Sequence, residues 1–175
     1  CLFETLYYCG LRNGEMRGLT WEYVDFEKKQ IYVKQQIATR YSSKKYKITD
    51  PKTEKSKRYV PICDVLLEDL KKLYNEVSQY KNFNKKWFVF GEADVPIVAD
   101  NPSYRQAAIC KKAGLRKIRI HDFRHSCASL LINKGANITL VSKYLGHTKI
   151  DETLNTYSHL YESALTQVVD LINNL

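Results

Sequence analysis

The 175-residue chain has no apolar run approaching the roughly 20 residues needed to cross a bilayer, which excludes a membrane-spanning helix. Its five cysteines (Cys1, Cys9, Cys63, Cys110 and Cys127) are odd in number, scattered, and form no CxxC pair, so a secreted disulfide scaffold is not expected. There is no GxxxxGK[ST] and no GxGxxG, and with them go the P-loop and dinucleotide folds. No carboxylate cluster is present to hold magnesium, which counts against a two-metal transposase or nuclease. Acid is also in short supply. Asp and Glu total 19 against 28 Lys and Arg, a formal charge of +9, and this marks a polyanion as the expected partner. With 44% hydrophobic and 27% charged residues, the composition is that of a folded, soluble domain rather than a disordered tail, expected in the cytosol.

The positive charge is concentrated. Residues 28–58 hold eleven Lys or Arg and two acids, a local +9, and residues 105–124 add +6. The remaining stretches are slightly acidic. A single lysine run is ordinarily a solvated face, whereas two separate blocks against acidic surroundings read as a nucleic-acid footprint.

The pattern predicts a mainly α domain with a small antiparallel sheet (α+β). A first helix stops at Gly10, and a second covers residues 13–19. Ile31-Tyr32-Val33 and Tyr59-Val60-Pro61-Ile62 read as strands of a two- or three-stranded sheet with Lys-rich turns. Asp64 is expected to cap a helix reaching Tyr80, with Val65, Leu66, Leu70, Leu73 and Val77 as its apolar stripe. Asn101-Pro102 opens a helix closed by Gly114. Three helices follow at about 121–134, 138–145 and 150–157, and Leu160, Ala164, Leu165, Val168, Leu171 and Ile172 mark a last amphipathic segment. The chain starts at Cys1 on residues that read as a helix already under way, so a fragment cut from a longer protein is expected, with the missing part on the N-terminal side.

Few residues offer chemistry. His121 and His125 have the i, i+4 spacing of zinc ligands, but position 122 is Asp and no third ligand lies at useful spacing. His121 and Arg124 share a helical face at i, i+3. Leu145-Gly146-His147 precedes Tyr157 by ten residues, and Arg12 stands far upstream between two helices. Taken singly, each is weak.

Taken together they form a set. Cys9-Gly10-Leu11-Arg12-Asn13-Gly14-Glu15, with Leu19-Thr20-Trp21 and Val24-Asp25, resembles the first arginine box of the phage-integrase family of tyrosine site-specific recombinases. The stretch from Pro51-Lys52-Thr53 to Arg58-Tyr59-Val60-Pro61 resembles that family's lysine-bearing β-hairpin. His121-Asp122-Phe123-Arg124-His125-Ser126 resembles its HxxR box. Leu145-Gly146-His147-Thr148-Lys149-Ile150 and Thr153–His159 resemble its second histidine and nucleophile segment. The boxes occur in family order over positions 9 to 159.

The resemblance implies that residues 1–175 form the recombinase catalytic domain, with a DNA-binding domain ahead of it in the longer protein, no cofactor and no metal, and strand exchange through a 3′-phosphotyrosyl link rejoined to a 5′-hydroxyl. Tyr157 would be the nucleophile. Arg12 and Arg124 would clamp the scissile phosphate, and arginine suits that task because it is always charged and binds two oxygens in a planar fork. His147 would donate to the phosphate, His121 would act as acid/base, and Lys52 would protonate the departing 5′ oxygen. Lys55 or Lys57 can replace Lys52 on spacing alone. Glu15 would brace Arg12, although helix-surface pairing explains its spacing equally well, and His125 is assigned to structure or to support of the site residues. Partners so implied are double-stranded DNA and other protomers in a synaptic tetramer, with the C-terminal helix docking in cis or in trans; membranes are not among them. The setting would be the cytoplasm and nucleoid of a bacterial host. Two alternatives stay open: a non-catalytic DNA-binding module, and relaxation of the type IB topoisomerase kind.

Overall fold

The structure is a computed structural model that describes residues 1–38, 46–50, 56–158 and 172–173. Helix α1 (Leu2–Tyr8) gives way to Gly10, whose φ of +57° turns the chain toward α2 (Asn13–Arg17). A 3₁₀ turn at Trp21–Tyr23 leads into β1 (Val24–Asp25) and β2 (Gln30–Val33). Strands β3 (Gln36–Ile37) and β4 (Ile48–Thr49) pair with each other, and β5 (Arg58–Pro61) returns antiparallel to β2. The main sheet therefore has the order β1-β2-β5, with Ile31 opposite Val60 and Tyr32 opposite Tyr59. Alternation settles the two faces. Ile31 and Val60 are fully buried, while Tyr32 and Tyr59 stack outside with ring centroids 4.6 Å apart.

Helix α3 (Asp64–Val77) covers the inner face of the sheet. Cys63 rather than Asp64 is its N-cap, and the Asp64 carboxylate instead accepts a bond from Lys29 Nζ at 2.8 Å. The expected stripe is also rotated: Val65 is 58% exposed, and Leu67, buried, takes its place beside Leu66 and Leu70. A short hairpin, β6 (Gly91–Glu92) with β7 (Val95–Pro96), precedes α4 (Asn101–Ala113). Asp100 caps α4, so Asn101 and Pro102 are its first two residues, and Gly114 ends it at φ +65°. Then come α5 (Asp122–Asn133), α6 (Ile138–Leu145) and α7 (Ile150–Tyr157). Asn137 caps α6 by accepting from the Thr139 amide at 2.8 Å. Gly146, at φ +70°, makes the turn beyond it. Most of the amphipathic segment expected after Leu160 lies outside the described residues.

Among the described residues two apolar clusters result. The larger joins α1, α2, the sheet and α3 through Leu6, Met16, Ile31, Val60, Leu66 and Leu70. The smaller is built by α5, α6 and α7 from Cys127, Ala128, Ile132, Val141, Leu145 and Tyr157. Each buried aliphatic side chain contributes about 1.5–3 kcal/mol of transfer free energy. Tyr144 packs on both clusters, and its hydroxyl donates to the carbonyls of Tyr8 (2.8 Å) and Pro61 (3.2 Å). The charged residues of interest gather at this seam.

Candidate active site

Helix α5 brings three polar side chains to one face, because His121 at its N-cap, Arg124 and His125 follow i, i+3, i+4 spacing. Arg124 is 3% exposed. Its Nη1 donates to the Gly10 carbonyl at 2.6 Å, while its Nη2 is buried without a partner. Burial, then the neighbouring Arg12, pushes its pKa down to about 9, so it is still charged at neutral pH. A buried cation with an unused donor is poised for an anion.

Arg12 caps α2 and donates from Nη1 to Glu15 Oε1 (2.8 Å) and from Nη2 to the Gly146 carbonyl (3.2 Å). The Arg12 amide donates to Glu15 Oε2 at 3.0 Å. Glu15 is shared with a second arginine. Arg58, on β5, donates to both Glu15 oxygens (3.2 and 3.0 Å), to the Tyr144 carbonyl (2.9 Å) and to the Ser56 carbonyl (3.3 Å). Burial would raise the Glu15 carboxyl, but Arg58 and Arg12 outweigh it and hold it below the usual carboxylate range.

The turn at Gly146 delivers His147, whose Nδ1 lies 2.6 Å from the Thr153 hydroxyl. A threonine O–H donating to Nδ1 leaves the ring hydrogen on Nε2 as a free donor. Burial and then Arg124 and Arg12 push the His147 pKa down to about 4, so the ring is neutral at pH 7. His121 is shifted down as well, by burial first and then by His125, Arg124 and Arg12. At the end of α7, Tyr157 is 5% exposed and its hydroxyl lies 2.7 Å from His125 Nδ1. Burial raises the phenol pKa, and Arg124 partly offsets this.

His121, Arg124, His125, His147 and Tyr157 line one cleft of about 340 Å³, together with Glu152, Asn155 and Thr156 of α7. Arg12 stands at its edge, near enough to depress the pKa values of Arg124, His121 and His147. A larger cavity of about 480 Å³ lies between Leu2, Phe90 and Arg105 and contains none of these residues. Of the six residues expected from the sequence, four line the cleft and Arg12 borders it. Lys52 lies outside the described residues, as does Lys55; Lys57 is placed, 3.7 Å from Asp50. Among the described residues no group of three His, Cys, Asp or Glu side chains is arranged to hold a metal ion.

Two residues escaped the sequence reading. Arg58 was counted among the surface charges of the basic block, yet its side chain is 7% exposed and paired. Its placement directly before the β-pattern Tyr59-Val60 was the available signal, since alternation turns Arg58 to the same face as Val60. The sequence places His125 in structure or in support of the site residues, and its contact with Tyr157 is invisible to spacing because 32 residues separate them.

A mainly helical domain with a small sheet and a cationic cleft holding a tyrosine matches a known protein family. The chain belongs to the phage integrase family, whose sequence profile matches residues 1–164. It is 34% identical over 190 residues to a XerC-like tyrosine recombinase of Caldanaerobacter subterraneus, covering 99% of this chain and 49% of that protein. It is 31% identical over 185 residues to the ICEBs1 integrase of Bacillus subtilis, again covering 99% of this chain and 49% of the relative. The chain thus spans about half the length of these curated relatives. Among solved structures, the Tn1549 transposon integrase in complex with circular intermediate DNA superposes with a TM-score of 0.80 at 28% identity, covering 97% of this chain and 58% of that one. The XerA recombinase shares the fold, with a TM-score of 0.70 at 23% identity over 96% of this chain and 53% of its own. No helix among the described residues is long and apolar enough to cross a membrane.

Proposed function

We propose that this chain carries out the breaking and rejoining steps of site-specific DNA recombination, in integration or excision of a mobile element. The substrate class is duplex DNA. Tyr157 attacks the scissile phosphodiester and becomes linked to the 3′-phosphate, and a 5′-hydroxyl later reseals the strand. The observation that carries this reading is the convergence of Arg124, His147 and Tyr157 on one cleft, with Arg12 held at its edge. Attack on the phosphate builds negative charge on its non-bridging oxygens. Two guanidinium groups and a neutral Nε2–H donor supply fixed positive potential there, and losing one such donor costs about 10²–10³ in rate. His121 lines the same cleft as a candidate acid/base, and Lys52 is assigned to protonate the leaving 5′ oxygen. The ester to Tyr157 conserves the energy of the broken bond, so resealing needs no nucleotide. Assembly of four protomers on DNA through the C-terminal segment belongs to the same proposal, as does action in the bacterial cytoplasm at the nucleoid.

The test compares the natural gene product with its Tyr157→Phe variant on a nicked, end-labelled duplex bearing the attachment site. The unmutated protein is expected to give an SDS-resistant DNA adduct and the variant none. An adduct in the variant, or intact DNA with both, sinks the nucleophile assignment. If duplex binding alone survives in both, a non-catalytic module is the better description.

A further inference from the structure

We propose that His125 is the general base for Tyr157: it takes the phenolic proton during strand cleavage and returns it during resealing. The inference rests on the reading of Tyr157 as nucleophile. Its starting point is geometric. Helix α5 and the last turn of α7 bring His125 Nδ1 to 2.7 Å from the Tyr157 oxygen. The rings lie 6.0 Å apart, tilted by 56°, at the wall of the cleft. Among the described residues, no other side chain is hydrogen-bonded to that hydroxyl. His121, the more obvious acid/base, makes no side-chain hydrogen bond among the described residues and instead packs edge-to-face on His125, with ring centroids 4.8 Å apart.

A base is needed here. An ordinary phenol with a pKa of about 10 is ionised to roughly one part in a thousand at pH 7. Burial of Tyr157 works against ionisation, and Arg124 offsets only part of that. An imidazole nitrogen at hydrogen-bond distance removes the difficulty, because it accepts the proton as the oxygen becomes nucleophilic. The step balances. The Tyr157 oxygen bonds to phosphorus and its proton passes to His125 Nδ1. The bond from phosphorus to the 5′ oxygen breaks, and that oxygen keeps the electron pair and takes a proton from the general acid assigned to Lys52. In resealing, the 5′-hydroxyl oxygen attacks phosphorus and returns its proton to the amine assigned to Lys52, while the bond from phosphorus to the Tyr157 oxygen breaks and that oxygen recovers its proton from His125. His121 and Arg124 then face the phosphate, while His125 serves the nucleophile.

Two substitutions test this in the natural gene product, by single-turnover adduct formation on attachment-site duplex. His125→Asn places an amide oxygen where Nδ1 stood, keeping the hydrogen bond and removing the basicity. His125→Gln carries the same test should the Asn variant fail to fold. Cleavage is expected to slow by about 10²–10³-fold with duplex affinity unchanged. Incorporation of 3,5-difluorotyrosine at position 157, which ionises nearer neutrality, is expected to recover most of that loss. A folded His125→Asn variant cleaving within threefold of wild type, while Tyr157→Phe stays inert, overturns the inference and leaves the nucleophile reading standing. A slow variant that difluorotyrosine does not restore also overturns it, since a purely structural defect is indifferent to phenol acidity. An adduct in Tyr157→Phe instead removes the nucleophile assignment itself.

Discussion

Glu15 lies between two guanidinium groups, with its side chain 1% exposed and both oxygens bound to Arg58 and to Arg12 or its amide. Arg58 does no chemistry in the proposed cleft, yet through Glu15 and the Tyr144 carbonyl it fixes the base on which Arg12 rests. Removing one partner of a buried pair leaves the other charge uncompensated, at a typical cost of about 3–5 kcal/mol. Arg58→Met is therefore expected to lower the urea midpoint sharply, and the double variant Glu15→Gln/Arg58→Met to recover part of the loss. An additive double variant would mean the two side chains do not share one interaction. His147 gives a pH prediction. Its native pKa, near 4, is below the unfolded value of 6.5, so the unfolded chain binds the extra proton between these limits. Stability contributed by His147 is present above pH 6.5 and is lost as pH falls toward 4. His147→Gln is expected to flatten the fall in stability over that window; an unchanged slope would show that another group governs it.

The turn between α6 and α7 places His147 beside Arg12, and Gly146 makes it possible twice over. Its φ is +70°, and a Cβ there would lie 2.7–2.9 Å from the Arg58 guanidinium and Cδ. Gly114 has a similar φ of +65° and nothing within 4 Å of such a Cβ. Gly114→Ala should thus cost only the backbone strain of about 1–2 kcal/mol. Gly146→Ala should cost more and slow cleavage by displacing Arg58. Equal thermal shifts for the two variants would discount the Arg58 contact. Element boundaries set by glycine were readable in the sequence for this reason: Gly10, Gly114 and Gly146 each occupy a left-handed conformation that ends a helix. The two-residue strands β1, β3, β4, β6 and β7 were not, since they are too short to show alternation. Val65 was misplaced because an isolated apolar residue near a helix start satisfies the stripe equally well whether it faces the core or solvent.

Over the whole molecule, the two basic blocks divide between the surface and the seam. Among the described residues Arg58 is buried and paired and Arg124 is buried at the cleft assigned to the scissile phosphate, so exposed residues such as Arg119 are the ones placed to reach the flanking backbone. Each phosphate neutralised releases condensed counterion, with log K falling by about 0.9 per phosphate for each unit of log salt. Titration of duplex binding should give a slope of several phosphates in wild type, reduced by about one on Arg119→Gln if that exposed residue touches the backbone. A slope of one phosphate or less would remove the footprint. The family and the identity of most cleft residues were legible because the boxes are local in sequence. The partnerships were not, because Glu15 with Arg58, Arg12 with Gly146, and His125 with Tyr157 are set by tertiary packing.

The two contacts that pin the arginines span 134 residues, from Arg12 to Gly146, and 114, from Arg124 to Gly10. Contacts this distant along the chain close late and carry the largest loop entropy. A polypeptide interrupted anywhere before α6 lacks the carbonyl that holds Arg12, the imidazole at position 147 and the tyrosine together. Incomplete translation products and C-terminally clipped fragments should therefore bind DNA, if at all, without cutting it. On the proposed reading, cleavage competence arrives only when Gly146, His147 and Tyr157 have joined Arg12 and Arg124 in one fold.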